Sequence, residues 1–128
     1  MAREPANGAR LYAVRGATTI DEDTREQVVG ATQDVLKQLL ERNGIDREQI
    51  VSIIFTATDD IRSEFPAAAA RLMGLNGVPL LCMRELDVTS SLATPRCIRL
   101  MIQFYGERKP EPVYLNGAAH LLRDPDPV

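Results

Sequence analysis

Three arginines sit where a guanidinium is out of place unless it has an anion to meet. Arg15 ends an apolar strand-like run in "YAVRGATTIDEDT" and is followed at once by small residues. Arg99 falls in the middle of "RCIRLMIQFY", and Arg71 is the conspicuous charge on the short alanine-rich stretch "PAAAARLMG". A guanidinium stays ionised at any ordinary pH and offers paired donors that match a carboxylate, so the chemistry it suggests is anion recognition and electrostatic stabilisation. Residue types alone leave each position open. By residue type alone Arg15 would more often form a salt bridge at a rim, and Arg99 equally suits a pairing with an acid across a sheet. Other chemistries are poorly supplied. The one histidine, His120, rules out a histidine-rich metal site and leaves little for a catalytic triad. Cys82 and Cys97 lie in apolar runs without metal-ligand spacing and read as reduced, small, semi-apolar side chains.

The elements that must position these arginines follow from periodicity. In "ARLYAVRG", Leu11, Ala13 and Arg15 share one strand face, and Tyr12 and Val14 the other. The run "DEDTREQVVGATQDVLKQLLERNG" predicts a long amphipathic helix with acidic residues in its first turn, a stripe of Val28, Val35, Leu36, Leu39 and Leu40, and Gly44 as its stop. "IVSIIFTAT" is a buried strand. Pro66 opens a short helix that Gly74 ends. "VPLLCMREL" is a third strand, "DVTSSLATP" a loop, and "RCIRLMIQFY" a fourth strand with Ile98, Leu100, Ile102 and Phe104 on one face and Cys97, Arg99, Met101 and Gln103 on the other. "VYL" is a short fifth strand, "NGAAHLL" a turn or two of helix, and residues 124–128 a mobile tail.

Size and composition set the frame. With 128 residues, 45% apolar and 26% charged, residues 1–128 form a single domain, and with no Trp, three Phe and three Tyr its core rests on aliphatic side chains. A net charge of −3 without a basic run gives no footprint for nucleic acid. The start "MAREPANGAR" lacks a signal-type apolar region and no stretch approaches membrane-spanning length, so a soluble, cytoplasmic protein is expected, with no membrane partner. The element order predicts an α+β fold with one mixed five-stranded sheet and helices on one face. The other sheet face then needs a cover, and a cyclic oligomer is the economical way to supply it.

Taken together, "VRGATT", "FPAxAxR", "VPLLCMRELDV", "RCIR" and "VYL", in this order from about Val14 to Arg123, resemble the small monofunctional chorismate mutases of the Bacillus type. The resemblance implies a ferredoxin-like subunit that trimerises into a pseudo-α/β barrel, with active sites in clefts between subunits and chorismate as the small-molecule substrate. It implies the rearrangement of chorismate to prephenate, a 3,3-sigmatropic step within aromatic amino-acid biosynthesis that transfers no proton. No cofactor, metal or nucleophile is then required.

Such a reaction needs two carboxylates gripped, one chair-like conformer frozen, and negative charge stabilised on an ether oxygen as its C–O bond breaks. Even a ~10⁶-fold acceleration asks for ~8 kcal/mol, more than one ordinary hydrogen bond supplies, so several arginines are expected. By resemblance, Arg99 meets the ether oxygen, Arg15 and Tyr114 clamp a carboxylate, and Glu85 accepts from the ring hydroxyl while orienting the arginine beside it. Small residues at Gly16, Ala17 and the threonines are expected to leave room for the ligand next to Arg15. Cys82 resembles a wall residue that donates weakly. Phe65, Ala67, and either Leu80 or Leu81 resemble the apolar wall, with Leu81 taken as the wall residue. Arg71, Leu122 and Arg123 resemble peripheral residues that close on the second carboxylate. Ala68 departs from the pattern, since some relatives carry a lysine there. The competing readings are a trimeric imine deaminase, whose arginine–cysteine signature differs, and a non-catalytic anion-binding module on the same fold.

Overall fold

A computed structural model describes residues 8–89 and 93–122. The chain runs β1 (Arg10–Thr19), α1 (Arg25–Arg42), β2 (Ile50–Ala57), α2 (Ala67–Leu72), β3 (Leu80–Arg84), β4 (Cys97–Gly106) and β5 (Val113–Tyr114), with short 3₁₀ helices at Arg47–Gln49 and Asn116–Leu122. The strands form one sheet in the order β3-β2-β4-β1-β5. β4 is antiparallel to both β1 and β2, while β3 runs parallel to β2 and β5 parallel to β1. The sheet is therefore mixed, as the α+β reading expects.

The connection β1-α1-β2 leaves a gap that β4 fills, which is the split β-α-β unit of ferredoxin-like folds. Beyond it the topology departs from that expectation. A second crossover, β2-α2-β3, adds a parallel edge strand, and β5 joins the far edge parallel to β1.

Both α-helices cover the same sheet face. Val35, Leu36 and Leu39 of α1 and Ala67 and Ala70 of α2 pack with Val14, Ile53, Phe55, Leu100, Ile102 and Phe104 in one core. The helix begins later than its acidic run suggested. Thr24 is extended at φ −126°, and its hydroxyl accepts the Gln27 N–H, a cap that starts α1 at Arg25. Asp23 is thereby released to accept the Arg62 and Ser63 backbone N–H groups at 2.8 and 3.1 Å, tying the entry of α1 to the segment before α2. Gly44 ends the α1 region at φ +59°, a left-handed conformation that glycine adopts without strain.

The opposite face is open along most of its length, and Leu11, Leu81 and Met83 on it are 57%, 55% and 47% exposed. One end is covered from within the chain, where the second 3₁₀ helix sets Ala118 against Ala17 and Cys97, beside Tyr114 and Leu121. Helical structure is thus not confined to one face, because Gly117 N–H donates to Thr19 Oγ1 at 2.8 Å and folds the C-terminal segment back over the strand ends.

Candidate functional site

Strand registry lines up the predicted residues on the open face. Thr56 of β2 lies opposite Arg99 of β4, Arg99 opposite Ala17 of β1, and Ala17 opposite Tyr114 of β5; Met83 of β3 continues the line from Thr56. The neighbouring line on the same face holds Arg15, Met101, Ile54 and Leu81. Strand alternation places side chains two residues apart on one face, so these two lines abut. Arg15, Tyr114, Arg99 and Leu81 consequently share one surface despite separations of up to 99 residues in the chain.

Glu85 follows β3 directly. Its N–H donates to the Ala57 carbonyl at 2.9 Å, carrying strand-like pairing one residue past Arg84 and turning the side chain toward β4. There Glu85 Oε2 stands 3.7 Å from Arg99 Nε and accepts the Thr56 hydroxyl. Arg99 is 44% exposed and Glu85 25%, so the pair is open to a ligand rather than sealed in the core. Arg99 also lies against the Cys97 thiol, whose proton affinity burial raises while the guanidinium lowers it. A guanidinium on a β-strand, beside apolar Ala17 and Met101 and facing one carboxylate, is an arrangement that can stabilise negative charge.

A second group lies on the other face and around α2. Cys82 alternates away from Leu81, pairs with Phe55 and packs against the core. Burial pushes its thiol up, opposed by the Ala67 backbone N–H and by Arg71. It is a protonated, weakly polar side chain at neutral pH rather than a nucleophile. Ala67 is buried in the core, and its N–H turns to Cys82. Phe65 is 65% exposed just before α2, and Arg71 is exposed on the helix itself. Glu64 links this group to α1 by accepting from Arg25 Nε at 2.9 Å. The Phe65 N–H holds its carboxyl below the usual range; burial opposes this, and Arg25 adds to the lowering.

Within one chain, then, Arg99, Glu85, Arg15, Tyr114 and Leu81 share one open sheet face, with Leu81 toward the β3 edge, and Cys82, Ala67, Arg71 and Phe65 form a separate set. Leu80 joins the core from the helix-covered face, which assigns the open face to Leu81. Gly16 requires correction. It faces α1, where a Cβ would lie 2.6 Å from Leu39 Cδ1, so its smallness admits the helix and not a ligand. Ala17 is the small residue on the side of Arg15 and Arg99. Leu122 ends the 3₁₀ helix, and Arg123 and residues 124–128 lie outside the described residues.

Sequence reasoning passed over Thr56. Its signal was present in "IVSIIFTAT", where Ser52 and Thr56 put hydroxyls on the same face of an otherwise apolar strand. It also passed over the loop behind the site. Thr58 accepts the Cys97 N–H at 3.0 Å and donates to Asp60, and Asp60 accepts the Arg96 N–H at 2.9 Å. Arg96, at φ +44°, returns its Nε to the Ile20 carbonyl at 3.1 Å. This network fixes the chain three residues before Arg99. Among the described residues no group of three or more His, Cys, Asp or Glu is placed to hold a metal ion, and no helix is long and apolar enough to cross a membrane.

This is an α+β subunit whose sheet presents an arginine–carboxylate pair, a second arginine and a tyrosine on one face, an arrangement suited to an anionic ligand. The chain belongs to the type I chorismate mutase family, which it matches over residues 11–125. It is 43% identical over 118 residues to chorismate mutase AroH of Thermus thermophilus, covering 89% of this chain and 95% of that one. It is 41% identical over 93 residues to chorismate mutase AroH of Bacillus subtilis, covering 72% of each. A solved chorismate mutase from Clostridium thermocellum superposes with a TM-score of 0.82 at 42% identity, over 85% of this chain and 98% of that one.

Proposed function

We propose that the chain converts chorismate to prephenate by holding the substrate in its reactive fold and stabilising charge at the breaking ether bond, in the cytoplasm, as a homotrimer with its sites between subunits. The observation that carries this is the Arg99–Glu85 pair on the open sheet face, with Arg15 on the adjoining line and Tyr114 on the same line as Arg99.

The reaction is a cyclic shift of electron pairs within one molecule, so the protein has no proton to move. Arg99 meets the ether oxygen as the C–O bond lengthens and negative charge gathers there. A cation already in place costs no reorganisation at that moment, which is how it lowers the barrier. Arg15 and Tyr114 grip one carboxylate. Glu85 accepts from the ring hydroxyl and keeps the Arg99 guanidinium turned to its task. Freezing the chair-like conformer removes rotational freedom before the chemical step.

Assembly explains the remaining residues. The exposed Leu11, Leu81 and Met83 favour burial against a second copy, and a cyclic trimer lets each open face receive the α2 edge of its neighbour. Phe65, Arg71 and Cys82 of that edge then approach the Arg99 surface, with Phe65 and Cys82 as wall, Arg71 on the second carboxylate, and Leu122 and Arg123 closing the cleft from the C-terminal segment. The test is ultraviolet monitoring of chorismate loss by purified protein, with prephenate verified by its acid conversion to phenylpyruvate, alongside sedimentation for the assembly. Turnover without added metal or nucleotide is expected. Chorismate that raises the melting temperature yet is not consumed would instead leave a binding module.

A further inference from the structure

We infer that Thr56 is a positioning residue for this site, acting through Glu85 to keep its carboxylate in register with Arg99; the inference rests on the mutase reading above. Thr56 is the direct cross-strand neighbour of Arg99, and its hydroxyl donates to Glu85 Oε2, the same oxygen that faces Arg99 Nε at 3.7 Å. That ion-pair distance exceeds a hydrogen bond, so the guanidinium by itself holds the carboxylate loosely. Glu85 also lies one residue beyond the end of β3, where a single backbone bond to Ala57 secures it.

The Thr56 hydroxyl supplies what the backbone does not. It stands on a strand flanked by β3 and β4, and a β-branched side chain has restricted χ1 freedom, so the donor is itself fixed. By occupying Oε2, the oxygen that faces Arg99, it favours one orientation of the carboxylate. Without that donor the carboxylate can rotate away or draw the guanidinium off the ether oxygen. A misplacement of about 1 Å at a reacting centre costs on the order of 10²-fold, so even partial loosening is readable in kinetics.

The experiment measures kcat and KM on chorismate for wild type, Thr56→Val and Thr56→Ser, with melting curves for each. Valine keeps the shape and deletes the donor. We expect kcat/KM to fall about tenfold, most of it in kcat, while Thr56→Ser, which retains a hydroxyl, recovers the larger part. The same Thr56→Val change is then made in Glu85→Ala. A residue that works through Glu85 has nothing left to position there, so the further loss should be under about twofold. An equal tenfold loss in both backgrounds would show that Thr56 acts on the strand and not on Glu85, overturning the inference, as would wild-type kinetics in folded Thr56→Val. A folded wild-type protein that never turns chorismate over would remove the functional reading, and the positioning role with it.

Discussion

Replacing Arg99 with alanine separates electrostatic catalysis from structure. The guanidinium is 44% exposed and its carboxylate partner lies at 3.7 Å, so the pair contributes about 0–1 kcal/mol to folding. The melting temperature should drop by no more than roughly 5 °C. The catalytic cost is larger. A unit charge about 3.5 Å from a developing half charge, at an effective dielectric of about 20, stabilises it by about 2.4 kcal/mol. Excluding water from the cleft strengthens that field, and removal of one preorganised donor typically costs about 10²–10³ in turnover. We therefore expect kcat to fall at least 10²-fold in the alanine variant. Arg99→Lys should fall between the two, since a point charge remains but the planar fork does not. The assay is the ultraviolet progress curve with a thermal melt on the same preparation. A folded Arg99→Ala protein within about fivefold of wild-type kcat would refute the role assigned to this charge.

Gly16→Ala should destabilise the protein by about 1–3 kcal/mol, lowering the melting temperature by roughly 5–10 °C, because the new methyl meets Leu39, Val35 and the Val113 carbonyl within 3.2 Å. Asp60 gives an acid-side stability signature. Burial opposes its charge, but the Thr58 hydroxyl and the Arg96 N–H outweigh that and hold its carboxyl below the ordinary value of 3.8. A group whose folded value is depressed stabilises the fold above its unfolded value and loses that contribution as pH falls through the folded one. Denaturant melts below about pH 4 should thus show falling stability, and Asp60→Asn should flatten that slope while lowering stability at neutral pH. Cys82, whose thiol burial raises above its ordinary value of 9.0, should react slowly with iodoacetamide at pH 7, so fast alkylation there would contradict a protonated thiol.

Much of this architecture is legible in residue order because it is local. A period of two in "RCIRLMIQFY" separates Arg99 from Leu100 without reference to any other strand, and the helical stripe of Val35, Leu36 and Leu39 finds the core face of α1 in the same way. Local propensity also misplaces what long-range bonds decide. The acidic residues before α1 look like first-turn residues until Asp23 is seen to serve the backbone at Arg62 and Ser63. Gly16 looks like space for a ligand until α1 is seen to occupy it.

The amino-acid order alone determined where the charged side chains stand, guanidinium groups at Arg15 and Arg99 and a carboxylate at Glu85, and the faces their strands present. Tertiary structure alone decided which of them meet. Registry between strands far apart in sequence puts Thr56 and Ala17 on either side of Arg99 and sets Leu81, not Leu80, on the face that Arg99 shares. Periodicity reports the direction of a side chain within its own strand. It holds no information about the neighbour across the sheet, because that pairing is set by the packing of the whole core.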